Sequence, residues 1–216
     1  MGQVFVIRHG ETEWSAAGRH TGRTDLSLTE SGREQGQALA KLIAGRRFDL
    51  VLTSPLRRAH ETCELTGLGA QARLEPDLAE WDYGEFEGLT TTEMRERIPN
   101  WSIWTHPPEQ GEGLADLGER ADRVIRSVRA VDGDVALFGH GHALRILTVR
   151  WLGLKPIAGS GFELGTGAIG VLGWNREFPA VIRWNQTCDP VEPDSPRADP
   201  NRSRPPTSAF DLPGAR

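Results

Sequence analysis

The feature that most constrains this chain is a short apolar run, Val4-Phe5-Val6-Ile7, that stops at Arg8-His9-Gly10. A run of β-branched and aromatic residues is typical of a buried strand, and the glycine lets the backbone turn sharply at its end. In open α/β sheets, ligands gather at the carboxyl ends of the parallel strands. The sequence therefore predicts a guanidinium (Arg8) and an imidazole (His9) at that edge, a pair suited to binding an anion and attacking it.

Three further segments follow the same logic. The strand-like run at 49–52 leads into Thr53-Ser54-Pro55-Leu56-Arg57-Arg58-Ala59, and the run at 135–138 ends at Gly139-His140-Gly141-His142. Between them, residues 78–89 form a segment dense in carboxylates and aromatic rings. Because strands and polar segments alternate in this way, we expect the polar residues to meet at one edge of a sheet.

Apolar periodicity along the chain predicts alternating strands and helices. Strands are expected at 3–7, 50–53 and 134–138, and a closing hairpin at 168–174 and 180–184. Helices are expected at 29–44, 56–65, 115–131 and 143–151, the first opening on a capping box over Ser27-Leu28-Thr29-Glu30. This alternation indicates the α/β class.

Composition indicates one domain and a tail. The 216 residues suffice for one full hydrophobic core, and 38% hydrophobic with 25% charged residues is ordinary for a globular protein. We expect the domain to span 1–188, because residues 189–216 are rich in Pro, Asp, Arg and Ser and are predicted to be a flexible extension. Cys63 and Cys188 lack metal-ligand spacing and are expected to be free thiols.

Charge and hydropathy exclude several classes of partner. A net charge of −5 without a basic cluster argues against nucleic acid. No apolar run reaches the ~20 residues of a membrane span, and no secretion signal is recognisable at the start, so we expect no membrane partner and a cytoplasmic location. The oligomeric state stays open, with a homodimer as one option.

Taken in order, the four segments resemble the histidine phosphatase superfamily, in the branch of cofactor-dependent phosphoglycerate mutases and small phosphatases. An isolated Arg-His-Gly would say little, but four motifs in the same order over residues 3–185 are specific. The resemblance implies a three-layer α/β/α sandwich with a mostly parallel central sheet.

The resemblance also implies catalytic roles. His9 matches the residue that becomes phosphohistidine, and His140 matches the second histidine of the pocket. Arg8 and Arg58 match the phosphate-binding arginines, with Arg58 preferred to Arg57 because the family pattern Ser-x-Leu-x-Arg-Ala ends on Ala59. Two guanidiniums, with or without a proton on His140, roughly match the charge of a phosphate dianion, so no metal and no cofactor are expected.

Among the carboxylates at 80–87, the residues alone leave the general acid and base open. The family pattern Leu-x-Glu-x-x-x-Gly selects Glu80, with Gly84 completing it. Further substrate contacts are implied at Ser15, Thr21, Gly22 and Tyr83. For His142 two roles stay open, a polar group of the pocket or a residue that starts the helix.

The short segment from Thr90 to Gly113 separates the possible activities. In the mutases a longer insertion carries paired arginines, which the segment from Thr90 to Gly113 lacks. The chain looks most like small bacterial acid phosphatases and sugar-bisphosphate phosphatases. We therefore predict a metal-independent phosphatase of small phosphorylated metabolites, with sugar phosphates as the expected class, acting through phosphohistidine. The alternatives are a phosphoglycerate mutase, a phosphoprotein phosphatase and a non-catalytic phosphate-binding protein.

Overall fold

The computed structural model describes residues 2–188, in which six strands form one sheet. Strands β1 to β4 are parallel to one another, whereas β5 pairs antiparallel with both β1 and β6 at one side of the sheet. The order across the sheet is β3-β2-β4-β1-β5-β6. The strands are β1 (Val4–Arg8), β2 (Leu50–Thr53), β3 (Arg73–Leu74), β4 (Val135–Gly139), β5 (Ile169–Asn175) and β6 (Phe178–Gln186).

Helices cover both faces of this sheet. They are α1 (Glu13–Ala16), α2 (Glu30–Leu42), α3 (Arg57–Leu65), α4 (Thr91–Arg97), α5 (Leu114–Arg129) and α6 (Gly141–Trp151). Alternate residues of β1 point to opposite faces, as the period of two in a strand requires. Val4 and Val6 pack in one cluster with α5 and α6, while Phe5 and Ile7 pack in another with α2 and Cys63 of α3. The predicted three-layer α/β/α sandwich with a mostly parallel sheet is confirmed.

The predicted core strands and the four long helices are present within one or two residues of their predicted ends. The capping box over Ser27-Leu28-Thr29-Glu30 is wrong. Helix α2 begins after Thr29, whose hydroxyl accepts the amide hydrogen of Gly32, so Thr29 is the N-cap. The structure adds α1, α4 and β3, which are too short for a periodic pattern to reveal.

The sequence also led to predictions about the cysteines, the C-terminal extension and membrane spans. Neither cysteine forms a disulfide bond, and burial raises the pKa of the Cys63 thiol to about 12. The extension at 189–216 lies outside the described residues, and the domain boundary stays a prediction. Within residues 2–188, no helix is both long enough and apolar enough to cross a membrane.

The end of β1 lies in backbone contact with the start of α2. A Cβ atom on Gly10 would overlap the carbonyl oxygen of Gly32, and one on Gly32 would overlap the carbonyl oxygen of Glu11. The amide of Thr29 donates to the same Glu11 oxygen at 3.0 Å. This close approach holds the segment after His9 against the helix layer.

We expect Gly32→Ala to lower the free energy of unfolding by about 1–3 kcal/mol, because backbone must move to admit the methyl group. Urea unfolding of the purified variant measures the loss. Gly161→Ala is the matched control, since a Cβ there meets no atom within 4 Å. It should stay within about 0.5 kcal/mol of the wild type. Equal stability of both variants would contradict the close approach.

Candidate active site

A pocket of about 400 Å³ opens at the carboxyl end of β1 and the start of α6. This is the edge at which the sequence predicts a ligand site. The walls are mostly polar and come from five separate stretches of the chain. They include Arg8, His9, Ser15, Arg19, His20, Thr21, Glu80, Tyr83, Thr91, His142, Arg145 and Glu163.

His9 is held as a neutral imidazole with one free nitrogen. Its Nδ1 lies 2.7 Å from the carbonyl oxygen of Gly10. A carbonyl can only accept, so Nδ1 carries the proton and Nε2 keeps its lone pair. Burial, reinforced by the charges of Arg58 and Arg8, holds the pKa of His9 well below its ordinary value of 6.5. His9 therefore presents the form of imidazole that acts as a nucleophile.

Arg8 places its guanidinium on the wall of the pocket. Its Nη1 donates to the carbonyl oxygen of Leu164 at 2.6 Å, which fixes the direction of the side chain. Its Nε is buried and has no hydrogen-bond partner among the residues that the structure describes. A buried donor without an acceptor is costly, so the fold holds this guanidinium at the pocket against a local penalty.

Arg58 and His140 form a buried pair behind His9, whose ring lies 5.1 Å from that of His140. Arg58 Nε donates to His140 Nδ1 at 3.1 Å, and His140 Nε2 lies 2.8 Å from the hydroxyl of Ser54. A guanidinium only donates, so His140 accepts at Nδ1 and carries its proton on Nε2. Burial and the charge of Arg58 hold the pKa of His140 well below 6.5.

The sequence left the protonation of His140 open, and these contacts hold it neutral. The two adjacent arginines also separate as expected, since Arg57 is exposed and pairs with Glu61 at 2.6 Å. Arg58 instead uses its terminal nitrogens to bind the carbonyl oxygens of the loop at 21–24.

Glu80 caps helix α6 from the pocket wall. Its carboxylate accepts the amide hydrogens of His142 at 3.1 Å and Ala143 at 2.9 Å, together with that of Trp81. Arg120 binds the backbone on the other side, donating to the carbonyl oxygens of Glu80 and two neighbours. The carboxyl group is thereby fixed in one orientation between the sheet edge and α6.

Sequence reasoning missed Arg120. Its signal was available, because Arg120 interrupts the apolar face that Leu117, Ala121 and Val124 form on α5. An arginine on a buried face must find acceptors, and those acceptors are the Glu80 loop and the carboxylate of Glu112.

The remaining predicted contacts divide into two groups. Ser15, Thr21 and Tyr83 line the pocket, although the Ser15 hydroxyl already bonds the backbone of Thr12 at the start of α1. Gly22 lies behind the wall, where its amide donates to Glu87 and its carbonyl accepts from Arg58.

His142, whose role the sequence left open, lines the pocket, and so does His20, which sequence reasoning missed. The signal for His20 was its position directly before Thr21 and Gly22. In residues 2–188, no group of three or more His, Cys, Asp or Glu side chains is arranged to hold a metal ion. The expected metal independence stays a prediction.

Comparison with known proteins agrees with this geometry. Residues 4–187 match the family model described as histidine phosphatase superfamily, branch 1. The chain belongs to this superfamily.

Relatives of this histidine phosphatase include an acid phosphatase of Mycobacterium tuberculosis, 40% identical over 81% of this chain and 87% of that protein. A sedoheptulose 1,7-bisphosphatase of Saccharomyces cerevisiae is 33% identical over 70% of this chain and 68% of its own. The solved structure of an open reading frame product from M. tuberculosis superposes with a TM-score of 0.83 at 37% identity, covering 87% and 99% of the two chains.

Phosphoglycerate mutases also occur among the relatives, at 33% identity. The phosphatases support hydrolysis of small phosphorylated metabolites through a histidine, and the mutase alternative is less supported. The predictions of family, fold and phosphatase activity are confirmed.

The neutral histidines make stability depend on pH. Burial is the main cause that holds the pKa values of His9, His140 and His142 below 6.5 in the folded protein. Below pH 6.5 these histidines bind protons in the unfolded chain but stay unprotonated in the folded protein. We therefore expect the free energy of unfolding to fall as pH drops from 7.5 to 5.5. The slope should approach about 1.4 kcal/mol per pH unit for each histidine.

Urea unfolding at pH 7.5, 6.5 and 5.5 measures this slope. His142→Phe should reduce the slope by the share of one histidine, whereas His60→Phe, on the surface beside Glu64, should leave it unchanged. A wild-type stability that is flat over this range would show that the buried histidines accept protons in the folded state.

Proposed function

We propose that this histidine phosphatase hydrolyses sugar phosphates and similar small esters in two steps, with the phosphoryl group carried by Nε2 of His9. The observation that supports this is the combination of a neutral His9, free at Nε2, with the guanidinium of Arg8 on the wall of the same pocket. A nucleophile beside a cationic donor is the arrangement that phosphoryl transfer requires.

In the first step, Nε2 of His9 attacks phosphorus and the bond from phosphorus to the ester oxygen breaks. Arg8 donates to a phosphoryl oxygen, and the Glu80 carboxyl group gives a proton to the leaving oxygen. In the second step, water attacks the phosphohistidine, Glu80 takes up the proton from that water, and inorganic phosphate leaves with His9 neutral again. Each step is balanced without a cofactor.

Arg58 contributes charge from behind His9. With His140 neutral, the charges that act on His9 and lower its pKa are those of Arg58 and Arg8. Two guanidiniums match the charge of a phosphate dianion, which is our reason for proposing a reaction without a metal ion.

We infer hydrolysis rather than phosphoryl return from the small contribution of the 90–113 segment to the pocket. Among the described residues of that segment, Thr91 lines the cavity. Arg95 turns away to donate to the carbonyl oxygen of Trp101, and Arg97 is exposed. A mutase must keep water from the phosphohistidine while its intermediate reorients, which needs a closed cover and a firm clamp.

Our proposals for binding partners and cellular location rest on the sequence. We propose a small phosphorylated substrate, a cytoplasmic location and no nucleic-acid or membrane partner, on the grounds of the acidic charge and hydropathy given above. The oligomeric state stays open.

His9→Ala should reduce turnover at least about a thousandfold, because it removes the group that accepts the phosphoryl. Phosphate release from p-nitrophenyl phosphate measures the loss. Acid-labile, base-stable phosphoenzyme should be trapped from the wild type and from the His60→Ala control but not from His9→Ala. If His9→Ala keeps a tenth of the wild-type rate, His9 is not the nucleophile.

Glu80→Gln should slow hydrolysis of alkyl phosphates by about 10²–10⁴-fold, the usual contribution of a positioned general acid. The loss should be smaller for aryl phosphates, whose leaving groups need less protonation. Glu85→Gln is the control, because Glu85 is exposed and accepts amide hydrogens at 109 and 110. Equal losses on the two ester classes would give Glu80 a structural role instead.

A further inference from the structure

Two histidines of the pocket take no part in the proposed mechanism. His20 and His142 both line the cavity, and their rings lie nearly parallel, at 11°, with centroids 6.4 Å apart. Tyr83 contacts both rings edge-on. The pair therefore forms a wall on which a part of the substrate other than the phosphate can rest.

His20 offers this wall a hydrogen-bond acceptor. Its Nδ1 lies 2.8 Å from the carbonyl oxygen of Leu89, so Nδ1 carries the proton. Burial lowers the pKa of His20 from its ordinary value, which leaves the ring neutral at pH 7. Nε2 of His20 consequently has a free lone pair.

His142 offers a donor. The hydroxyl of Tyr83 lies 2.7 Å from His142 Nδ1, and burial raises the pKa of Tyr83 well above 10. The protonated hydroxyl has no other acceptor among the described residues, so it donates to Nδ1. Burial also keeps His142 neutral by lowering its pKa. The proton of its ring therefore sits on Nε2.

Both Nε2 atoms are open to the cavity. In residues 2–188, the buried side-chain nitrogen and oxygen atoms without a partner are Arg8 Nε and Trp101 Nε1. The Nε2 atoms of His20 and His142, which have no hydrogen-bond partner in this part of the chain either, are therefore accessible from the pocket. One neutral acceptor and one neutral donor stand side by side.

The other charged residues of the pocket do not favour a second anionic group on the substrate. Arg19 and Arg145 share the cavity with the carboxylate of Glu163. Both arginines also donate to backbone carbonyl oxygens, Arg19 to Gly88 and Arg145 to Gly159. Beyond the phosphate, the pocket suits an uncharged group.

We propose that His20 and His142 recognise a hydroxyl group of the leaving alcohol, so that the enzyme selects hydroxylated alkyl phosphates over esters that lack hydroxyls. A hydroxyl both accepts and donates, which matches this pair. A carboxylate can only accept and an ammonium can only donate. This inference rests on the proposed phosphatase function and assigns its substrate class from residues outside the catalytic set.

The test compares two esters of the same shape. Ribose 5-phosphate and tetrahydrofurfuryl phosphate share the ring and the phosphate ester, but the second lacks the three hydroxyls. The ratio of their kcat/KM values, measured by phosphate release, should be at least about 10 for the wild type, since a missing hydroxyl leaves both nitrogens unpaired.

Two substitutions of His20 distinguish the contribution of its Nδ1 atom from that of its Nε2 atom. In His20→Asn the amide nitrogen replaces Nδ1 and keeps the bond to Leu89, but the acceptor at Nε2 is lost. In His20→Gln the amide oxygen reaches the position of Nε2. The selectivity ratio should fall about tenfold in His20→Asn and fall less in His20→Gln. His60→Asn, on the surface, should keep the wild-type ratio.

The outcomes distinguish this inference from the proposed function. Phosphate release from neither ester would overturn the phosphatase function itself. Equal release from both by the wild type would leave that function standing and overturn hydroxyl recognition, even if no variant folds. A high ratio that His20→Asn leaves unchanged would also overturn it.

Discussion

The site depends on one buried guanidinium, that of Arg58. A buried charge is tolerated only when its hydrogens find acceptors, and Arg58 finds them in the carbonyl oxygens of Thr21, Gly22 and Thr24 and in His140. Glu87 holds the same loop by accepting the amides of Gly22 and Thr24. The loop that carries His20 and Thr21 to the pocket is thus fixed by the cation behind His9.

The same charge sets the protonation of the histidines around it. Arg58 adds to burial in lowering the pKa values of His9 and His140. In each ring one nitrogen is committed to a fixed partner, Gly10 for His9 and Arg58 for His140. The second nitrogen of His140 contacts Ser54, whereas that of His9 stays free. This difference in partners, and not the residue type, separates the proposed nucleophile from the supporting histidine.

The features that could be predicted from the sequence are those with strong local patterns. The apolar run before Arg8 and His9 predicted β1 and a pocket at its end, and the structure has both. The motifs also predicted Glu80 and Arg58, which lie on the pocket wall and behind His9, and their catalytic roles stay predictions.

The neutrality of His140 could not be predicted, since burial and an arginine donor 82 positions away decide it. Arg120 and His20 carried local sequence signals, but what they bind could not be predicted, because their partners lie on other elements of the fold.

The two proposals assign different physical means of recognition to the two ends of the pocket. At the proposed phosphate end, Arg8 and Arg58 provide charge in a low-dielectric site, where electrostatic attraction is strong. At the other end, the proposed recognition by neutral His20 and His142 relies on hydrogen bonds that a mismatched group would leave unpaired. Such an enzyme would bind many phosphate esters. It would turn over fastest those esters whose alcohol forms hydrogen bonds with His20 and His142. Broad phosphatase chemistry and narrow substrate choice can therefore coexist in one pocket, because separate groups control them.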